Sequence, residues 1–319
     1  MMKLILVPTD MSAFAEQALP TALMIAKREN ADVELVHVYE HILPELTQNA
    51  PPLDPTLDLE LHRRARERLE KLAERLHKET HVSVRATLLE GAVEEELVSY
   101  IEKRHADLVV MSTHGKGGIS VVWLGDVTED LVRRSFSPVL LVKPNEKAPA
   151  TTPARSFSRV LVPLDGSRLA EEAIDHAVVV AGTRDVEYLL LHVLPPFDDD
   201  EPIAVNPVDD LRYQEAKDYL EGLAKNFRAL GVNMNYRTFR HDNTARAILE
   251  TADSIAADLI AMETHGRGGL TRLIMGGVAD KVLRGSKVPM LMHRPHAQEK
   301  SHAGEESAAS TASGSGRSK

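Results

Sequence analysis

The same long segment occurs twice in this chain, and this repeat constrains the fold more than any other feature. Residues 3–27 align without a gap to residues 158–182, and 10 of the 25 positions are identical. Residues 106–144 align in the same way to residues 257–295, with 16 of 39 positions identical. The spacing between the copies is far larger than the roughly 20–50 residues of a solenoid unit. Each copy is therefore expected to be a whole domain.

Each copy contains five short apolar runs separated by amphipathic stretches. The runs are 4–8, 33–38, 82–89, 107–111 and 138–142 in copy one, and 160–164, 186–193, 232–239, 258–262 and 289–292 in copy two. Nearly continuous apolar strands that alternate with helices are typical of a parallel sheet buried between two helical layers. The sequence therefore predicts an α/β fold with two Rossmann-like domains, each a five-stranded parallel sheet with helices on both faces.

The predicted domain boundaries follow from local composition. Domain one covers residues 1–145 and domain two covers residues 158–295, with a Pro-, Ala- and Thr-rich linker over 146–157. Residues 296–319 are mostly Ser, Gly, Ala and charged residues. Such a segment cannot offset the entropy lost on ordering, so we expect a disordered tail.

Charge and composition exclude several classes of function. The net charge of −10 argues against non-specific binding to a phosphate backbone, so no nucleic-acid partner is expected. The chain has no cysteine, which excludes thiolate chemistry, and no His-x3-His pair falls within a predicted helix, so we expect no metal site. No apolar run approaches the roughly 20 residues of a membrane span, and the N-terminus lacks a signal-peptide pattern. We expect a cytoplasmic protein with no membrane partner.

Two segments in each copy are expected at the carboxyl ends of the strands, where open parallel sheets bind ligands. The first follows strand one and contains Asp10 or Asp165. The second follows strand four and reads STHGKGG at 112–118 and ETHGRGG at 263–269. A glycine-rich turn that enters a helix exposes N–H groups able to hold phosphate oxygens. Neither turn is a P-loop or the usual dinucleotide fingerprint.

These residues resemble the universal stress protein family in its tandem form. The resemblance is carried by the strand-one Asp and by MSTHGKGG…LGD…SPVLLV and METHGRGG…MGG…VPMLM, and it covers both copies nearly end to end. It implies the adenine nucleotide alpha hydrolase-like fold, a stress-response role, and ATP held by Gly-x2-Gly-x9-Gly-Ser/Thr together with the strand-one Asp. The nucleotide contacts that it implies are Thr9, Asp10, Val38, Met111, Ser112, His114, Gly115, Gly118, Gly125, Asp126 and Val127 in copy one, and Leu164, Asp165, Val193, Met262, Glu263, His265, Gly266, Gly269, Gly276, Gly277 and Val278 in copy two.

Both copies depart from the family pattern. Ser112 and Glu263 replace its first glycine, and Asp126 and Gly277 replace its closing hydroxyl residue. Asp126 would place a negative charge where the family places phosphate, and like charges repel in a partly desolvated site. Glu263 would place a large acidic side chain against the ligand.

Several residues have two interpretations at this point. Asp10 and Asp165 either contact the adenine or ribose or cap the following helix, a role for which Ser12 and Ser167 compete. Met111 and Met262 either face the base or belong to the core. A catalytic or metal role for His114 and His265 is less favoured than hydrogen bonds that orient the loop.

The leading hypothesis is a stress-response protein that binds adenine nucleotide (ATP, ADP or AMP, with or without Mg) in one or both clefts as a signal. The alternative is a scaffold that binds no nucleotide. A weak ATPase or self-phosphorylating protein ranks last, and no catalytic residue is assigned, because no positioned base and nucleophile is visible. In the family the fifth strands pair, which here would join the two domains within the chain and cover an exposed sheet edge. A further homodimer is the remaining expectation about assembly.

Overall fold

The computed structural model describes residues 2–41, 55–113, 125–144, 153–196, 207–264 and 275–294. All ten apolar runs form strands, with bounds within two residues of those expected. The strands are β1 (Leu4–Pro8), β2 (Asp32–Tyr39), β3 (Val84–Glu90), β4 (Leu108–Ser112), β5 (Val139–Val142), β6 (Arg159–Pro163), β7 (Glu187–Leu194), β8 (Asn233–Arg240), β9 (Leu259–Glu263) and β10 (Met290–His293).

Helices connect successive parallel strands in both copies. They are α1 (Leu19–Glu29), α2 (Pro55–Thr80), α3 (Val93–Arg104), α4 (Asp126–Arg134), α5 (Arg168–Ala181), α6 (Pro207–Ala229), α7 (Thr244–Ser254) and α8 (Gly277–Gly285). Copy one differs at one place, because a 3-10 helix over Ala15–Ala18 precedes α1, whereas α5 is continuous. Pro20 explains this break, since it lacks the N–H that an α-helix would direct to the carbonyl of Glu16.

The two copies share one ten-stranded sheet. Its order is β3-β2-β1-β4-β5-β10-β9-β6-β7-β8. Strands within a copy are parallel, and β5 pairs antiparallel with β10, with Leu140 opposite Leu291. This pairing of the two fifth strands is the one expected from the resemblance. The α/β fold with five parallel strands in each copy is confirmed.

The apolar core lies on both faces of this sheet and continues from one copy to the other. Residues of α1, α2, α5 and α6 pack on one face, and residues of α3, α4, α7 and α8 pack on the opposite face. Leu140 and Leu291 both belong to the first of these two layers. The junction between the copies is therefore part of a continuous core.

Polar contacts add to the junction between the copies. The guanidinium of Arg28 on α1 donates a hydrogen bond of 2.9 Å to the carbonyl of Val180 near the end of α5. Arg284 on α8 lies 3.6 Å from the carboxylate of Glu129 on α4. Both helical layers thus contribute to holding the copies together.

The linker and the tail are described only in part. Phe157, at the end of the predicted linker, is buried in the core, so this end of the segment is packed against the domains. The predicted tail over 296–319 lies outside the described residues. Within the described ranges, every helix is too short or too polar to span a membrane.

Candidate functional site

A cavity of about 400 Å³ opens at the carboxyl ends of β1, β2 and β4 in copy one. This volume is within the range of small-molecule sites. Val36, Val38, Leu97 and Met111 supply apolar lining, and polar groups come from the turns after β1 and β4. We refer to this cavity as cleft one. It lies where the sheet topology predicts a ligand site.

Cleft one brings together the residues that the sequence marks as nucleotide contacts in copy one. The eight described ones all line it: Thr9, Asp10, Val38, Met111, Ser112, Gly125, Asp126 and Val127. His114, Gly115 and Gly118 lie outside the described residues. Met111 lines the cleft and is also buried in the core, so its position is compatible with both of its interpretations.

The strand-one Asp shapes a turn in both copies, while the neighbouring serine caps the helix. Oδ1 of Asp10 accepts a hydrogen bond from the backbone N–H of Ser12 at 2.9 Å, and Asp165 accepts one from Ser167 at the same distance. Ser167 in turn caps α5 by accepting from the N–H of Ala170. The capping interpretation therefore applies to the serine. Asp10 remains at the wall of cleft one, where a ligand can reach it.

A histidine near the end of the second strand fixes the residue before each Asp. Nδ1 of His37 lies 2.8 Å from the carbonyl oxygen of Thr9, and Nδ1 of His192 lies 2.8 Å from that of Leu164. A carbonyl only accepts, so Nδ1 carries the proton and donates in both copies. The sequence offered a signal for this role, because a His-Val pair ends strand two in each copy.

The third glycine of the family pattern, Gly125 or Gly276, forms a backbone hydrogen bond with the residue that follows strand four of its copy. The N–H of Gly125 donates to the carbonyl of Thr113 at 3.3 Å, and that of Gly276 donates to Thr264 at 2.9 Å. A Cβ on Gly276 would lie 3.2 Å from that carbonyl oxygen, which is tighter than most Cβ contacts. This position therefore favours glycine on steric grounds.

Asp126 begins α4 and lines cleft one. The N-terminus of a helix carries partial positive charge and attracts anions, so a carboxylate here is favourable for the helix. Asp126 is exposed at this end of the cleft. Asp126 therefore favours the start of α4 and adds negative charge to the lining of cleft one.

The charge lining cleft one is entirely acidic among the residues that the structure describes. Carboxylates come from Asp10, Glu40, Glu94 and Asp126, and this described lining includes no lysine or arginine. A ligand with several negative charges would be repelled unless cations or the loop over 114–124 compensate.

Copy two repeats the frame of the site. Three of the predicted residues lie at or just after the ends of the corresponding strands: Leu164, Asp165 and Val193. Met262 lies in the core. Three more lie at the N-terminus of α8: Gly276, Gly277 and Val278. His265, Gly266 and Gly269 lie outside the described residues.

Glu263 does not meet the expectation of an acidic side chain directed at a ligand. Its carboxylate bonds instead to Nδ1 of His293, the residue opposite it on β10, at 2.9 Å. His293 packs against His176 of α5, so the Glu263 side chain lies on the α5 face of the sheet. Adjacent strand residues point to opposite faces, and Met262 accordingly packs in the layer formed by α7 and α8.

A second polar cluster joins the ends of β2 and β3 to the start of α2. Nδ1 of His41 lies 2.7 Å from Asp58, and its Nε2 lies 3.2 Å from Glu90. Glu90 also approaches His62, at 2.8 Å, and Tyr39 donates a hydrogen bond to Asp58. The hydrogen bonds to Asp58 and then Glu90 raise the pKa of His41 above its usual range.

The Asp58→Asn variant is expected to lower the pKa of His41, because it removes the negative partner that favours the imidazolium most. The pKa can be followed through the imidazole proton shifts in an NMR titration. Glu60→Asn is the matched control, since Glu60 lies two residues away and pairs with Arg63 and Arg64. An equal shift in both variants, or none in Asp58→Asn, would contradict the assigned contact.

The fold and cleft define a tandem α/β protein with a ligand-sized cavity at the carboxyl edge of a parallel sheet. The sequence model of the Universal stress protein family matches residues 1–143 and 156–294. The chain therefore belongs to the universal stress protein family.

Individual relatives agree with this assignment. A universal stress protein of Mycolicibacterium smegmatis is 28% identical over 297 residues, covering 91% of this chain and 97% of the relative. One of Methanocaldococcus jannaschii is 33% identical over 145 residues, covering 46% of this chain and 84% of the relative. The crystal structure of a universal stress protein from Archaeoglobus fulgidus superposes with a TM-score of 0.65 at 21% identity, covering 93% of this chain and 97% of that one. This last likeness extends over both copies and supports the tandem fold.

Proposed function

We propose that this stress-response protein binds an adenine nucleotide in cleft one and uses it as a signal. The observation that carries the proposal is the convergence of the eight described residues predicted for copy one on one cavity of about 400 Å³. Apolar residues such as Val38 and Met111 suit the base, and Asp10 suits hydroxyl groups of the ribose. The phosphates would extend toward the N-terminus of α4.

Cleft one is better suited to AMP or ADP than to free ATP. Each added phosphate brings negative charge toward Asp126, whose own charge opposes it. Mg²⁺ would reduce this repulsion by neutralising phosphate oxygens, so a Mg-nucleotide is the form of ATP that we expect to bind. In copy two the corresponding residue is Gly277, and this charge is missing there.

Calorimetric titration with adenosine, AMP, ADP and ATP tests the proposal. We expect heat of binding with AMP or ADP, weaker binding of free ATP, and a gain for ATP when Mg²⁺ is added. Asp10→Asn should weaken all four ligands if the ribose lies against this carboxylate, whereas Asp107→Asn removes an acidic residue far from cleft one. Absence of heat with every ligand would rule out nucleotide binding.

The second candidate function is a scaffold that binds no nucleotide. It is favoured by the missing first glycine and the missing closing hydroxyl residue in both copies. Adenine absorbance in the supernatant of freshly purified, denatured protein would argue against it. Location in the cytoplasm and assembly into a homodimer remain proposals, which fractionation and light scattering respectively would test.

A further inference from the structure

Copy two contains a cluster of titratable side chains beneath α5, with Glu263 and His293 buried at its centre. The side chains of Glu263 and His293 are only 2% and 6% exposed, and their closest approach is 2.9 Å. The ring of His176 lies 4.1 Å from that of His293, centroid to centroid. Glu172, also on α5, lies 3.8 Å from Nδ1 of His293. Asp175 of the same helix adds a charge that acts on His176.

The position of this cluster connects three parts of the molecule. Glu263 ends β9 and directly precedes the segment that leads into the glycine-rich loop of copy two. His293 ends β10, the strand that pairs with β5 of copy one. His176 belongs to α5, the helix that follows the Asp165 turn. A change in the charge of this cluster therefore acts on β9, β10 and α5 together.

Copy one provides an internal comparison because it has no titratable residue at the matching positions. Ser112 and Val142 are opposite each other on β4 and β5, as Glu263 and His293 are on β9 and β10. Gln17 and Thr21 match Glu172 and His176 in the aligned sequences. The cluster is therefore not a requirement of the fold.

We propose that the Glu263–His293 pair is a proton-sensitive latch, which fastens β9 to β10 while it holds one proton and loosens when that proton is lost. With the proton present, the pair is neutral and makes a buried hydrogen bond. Without it, a carboxylate charge remains in the core beside a second carboxylate, that of Glu172. Alkaline conditions therefore weaken this end of domain two, and copy one has no equivalent response.

The pKa shifts of Glu263 and His176 agree with a pair that holds one proton at neutral pH. Burial, and then the nearby charge of Glu172, raise the pKa of Glu263 to about 9. Burial, and then His293, lower the pKa of His176 to about 4. At neutral pH the Glu263–His293 pair therefore keeps its proton, and His176 is uncharged.

The direction of the pH effect follows from proton binding in the folded and unfolded states. The pKa of Glu263 is higher in the folded state, so its stabilisation is complete below the unfolded pKa near 4.5 and is lost as pH rises toward 9. The pKa of His176 is lower in the folded state, so its effect is opposite and is confined to about pH 4–6.5. Between pH 6.5 and 9, the titration of Glu263 therefore changes the free energy of unfolding, whereas the titration of His176 does not.

Glu263→Gln tests the latch, because the amide can donate to Nδ1 but cannot lose a proton. Urea unfolding of the full chain is measured at pH 6.5 and pH 8.5 for wild type and variant. We expect the ratio of the wild-type to the variant unfolding constant to rise by about a hundredfold, which is tenfold per pH unit for one proton. A ratio that stays constant across this range would overturn the proposal.

A second measurement does not depend on the variant folding. The side-chain carboxyl of Glu263 in the wild-type protein can be followed by ¹³C NMR, with its signal assigned through bonds from the backbone resonances of Glu263. We expect titration well above pH 7, and a lower midpoint in Glu172→Gln, which removes the like charge. Titration near pH 4.5 would overturn the proposal even if the variant proved unstable.

Discussion

Replacing Leu140 with alanine is expected to lower the free energy of unfolding by about 2–5 kcal/mol. Leu140 is fully buried, and it lies opposite Leu291 at the antiparallel junction of β5 and β10. Both residues belong to the core layer that extends across the two copies. The substitution therefore leaves a cavity at the point where the domains join, which the surrounding sheet can fill only in part.

Leu59→Ala is the control for this prediction, and urea unfolding followed by circular dichroism is the measurement. Leu59 on α2 is 68% exposed, so its truncation should change the free energy of unfolding by no more than about 0.5 kcal/mol. If Leu140→Ala cost less than about 1 kcal/mol, the junction would not be part of a tightly packed core. The two copies would then have to be treated as separately stable units.

The sequence predicted the strands well because each is a short apolar run bounded by polar residues or turns. β1 and β6 illustrate this, since both end in the same Val-Pro pair before an Asp turn. The five-stranded parallel sheet of each copy followed from the α/β pattern, and the pairing of the two fifth strands followed from the family resemblance. The break before α1 is also traceable to one residue, Pro20, because Asp175 occupies the aligned position in the continuous helix α5.

The candidate site was predictable where the backbone alone positions a residue. Asp10 and Gly125 lie at strand or helix ends, so the topology is enough to bring them to the same edge of the sheet. The direction of the Glu263 side chain was predicted wrongly, because this side chain bonds to a residue of the neighbouring strand. Side chains alternate along β9, so Glu263 and Met262 point to opposite faces of the sheet. His293 becomes the neighbour of Glu263 only through the register in which β9 and β10 pair. That register is not visible in a local sequence pattern.

The two copies therefore carry their charged substitutions in different parts of the same fold. Copy one keeps a neutral Ser112 at the end of β4 but carries a charge at Asp126, within the cleft. Copy two carries its charge-bearing group at Glu263, beneath the sheet, and has Gly277 at the start of α8. We propose that the substitution in copy one acts on a bound ligand, whereas the one in copy two acts on the pairing of β9 with β10.

Asp126→Asn is expected to strengthen the binding of ATP to cleft one by about tenfold, which corresponds to about 1.4 kcal/mol. The substitution preserves the shape of the side chain and removes the charge that we expect to face the phosphates. Adenosine carries no phosphate, so its affinity should not change. The affinity for AMP should rise less than that for ATP, and added Mg²⁺ or salt should reduce the gain for ATP.

Asp130→Asn provides the matched control, because Asp130 lies on the same helix and pairs with Arg134 outside the lining of cleft one. Both variants change the net charge equally, so any difference between them reflects position. Calorimetry at low ionic strength in the absence of Mg²⁺ gives the sharpest comparison. If both variants gain equally, the effect is a general one of net charge. If Asp126→Asn strengthens the binding of adenosine as much as that of ATP, the carboxylate acts on the nucleoside. The phosphates then do not extend toward α4.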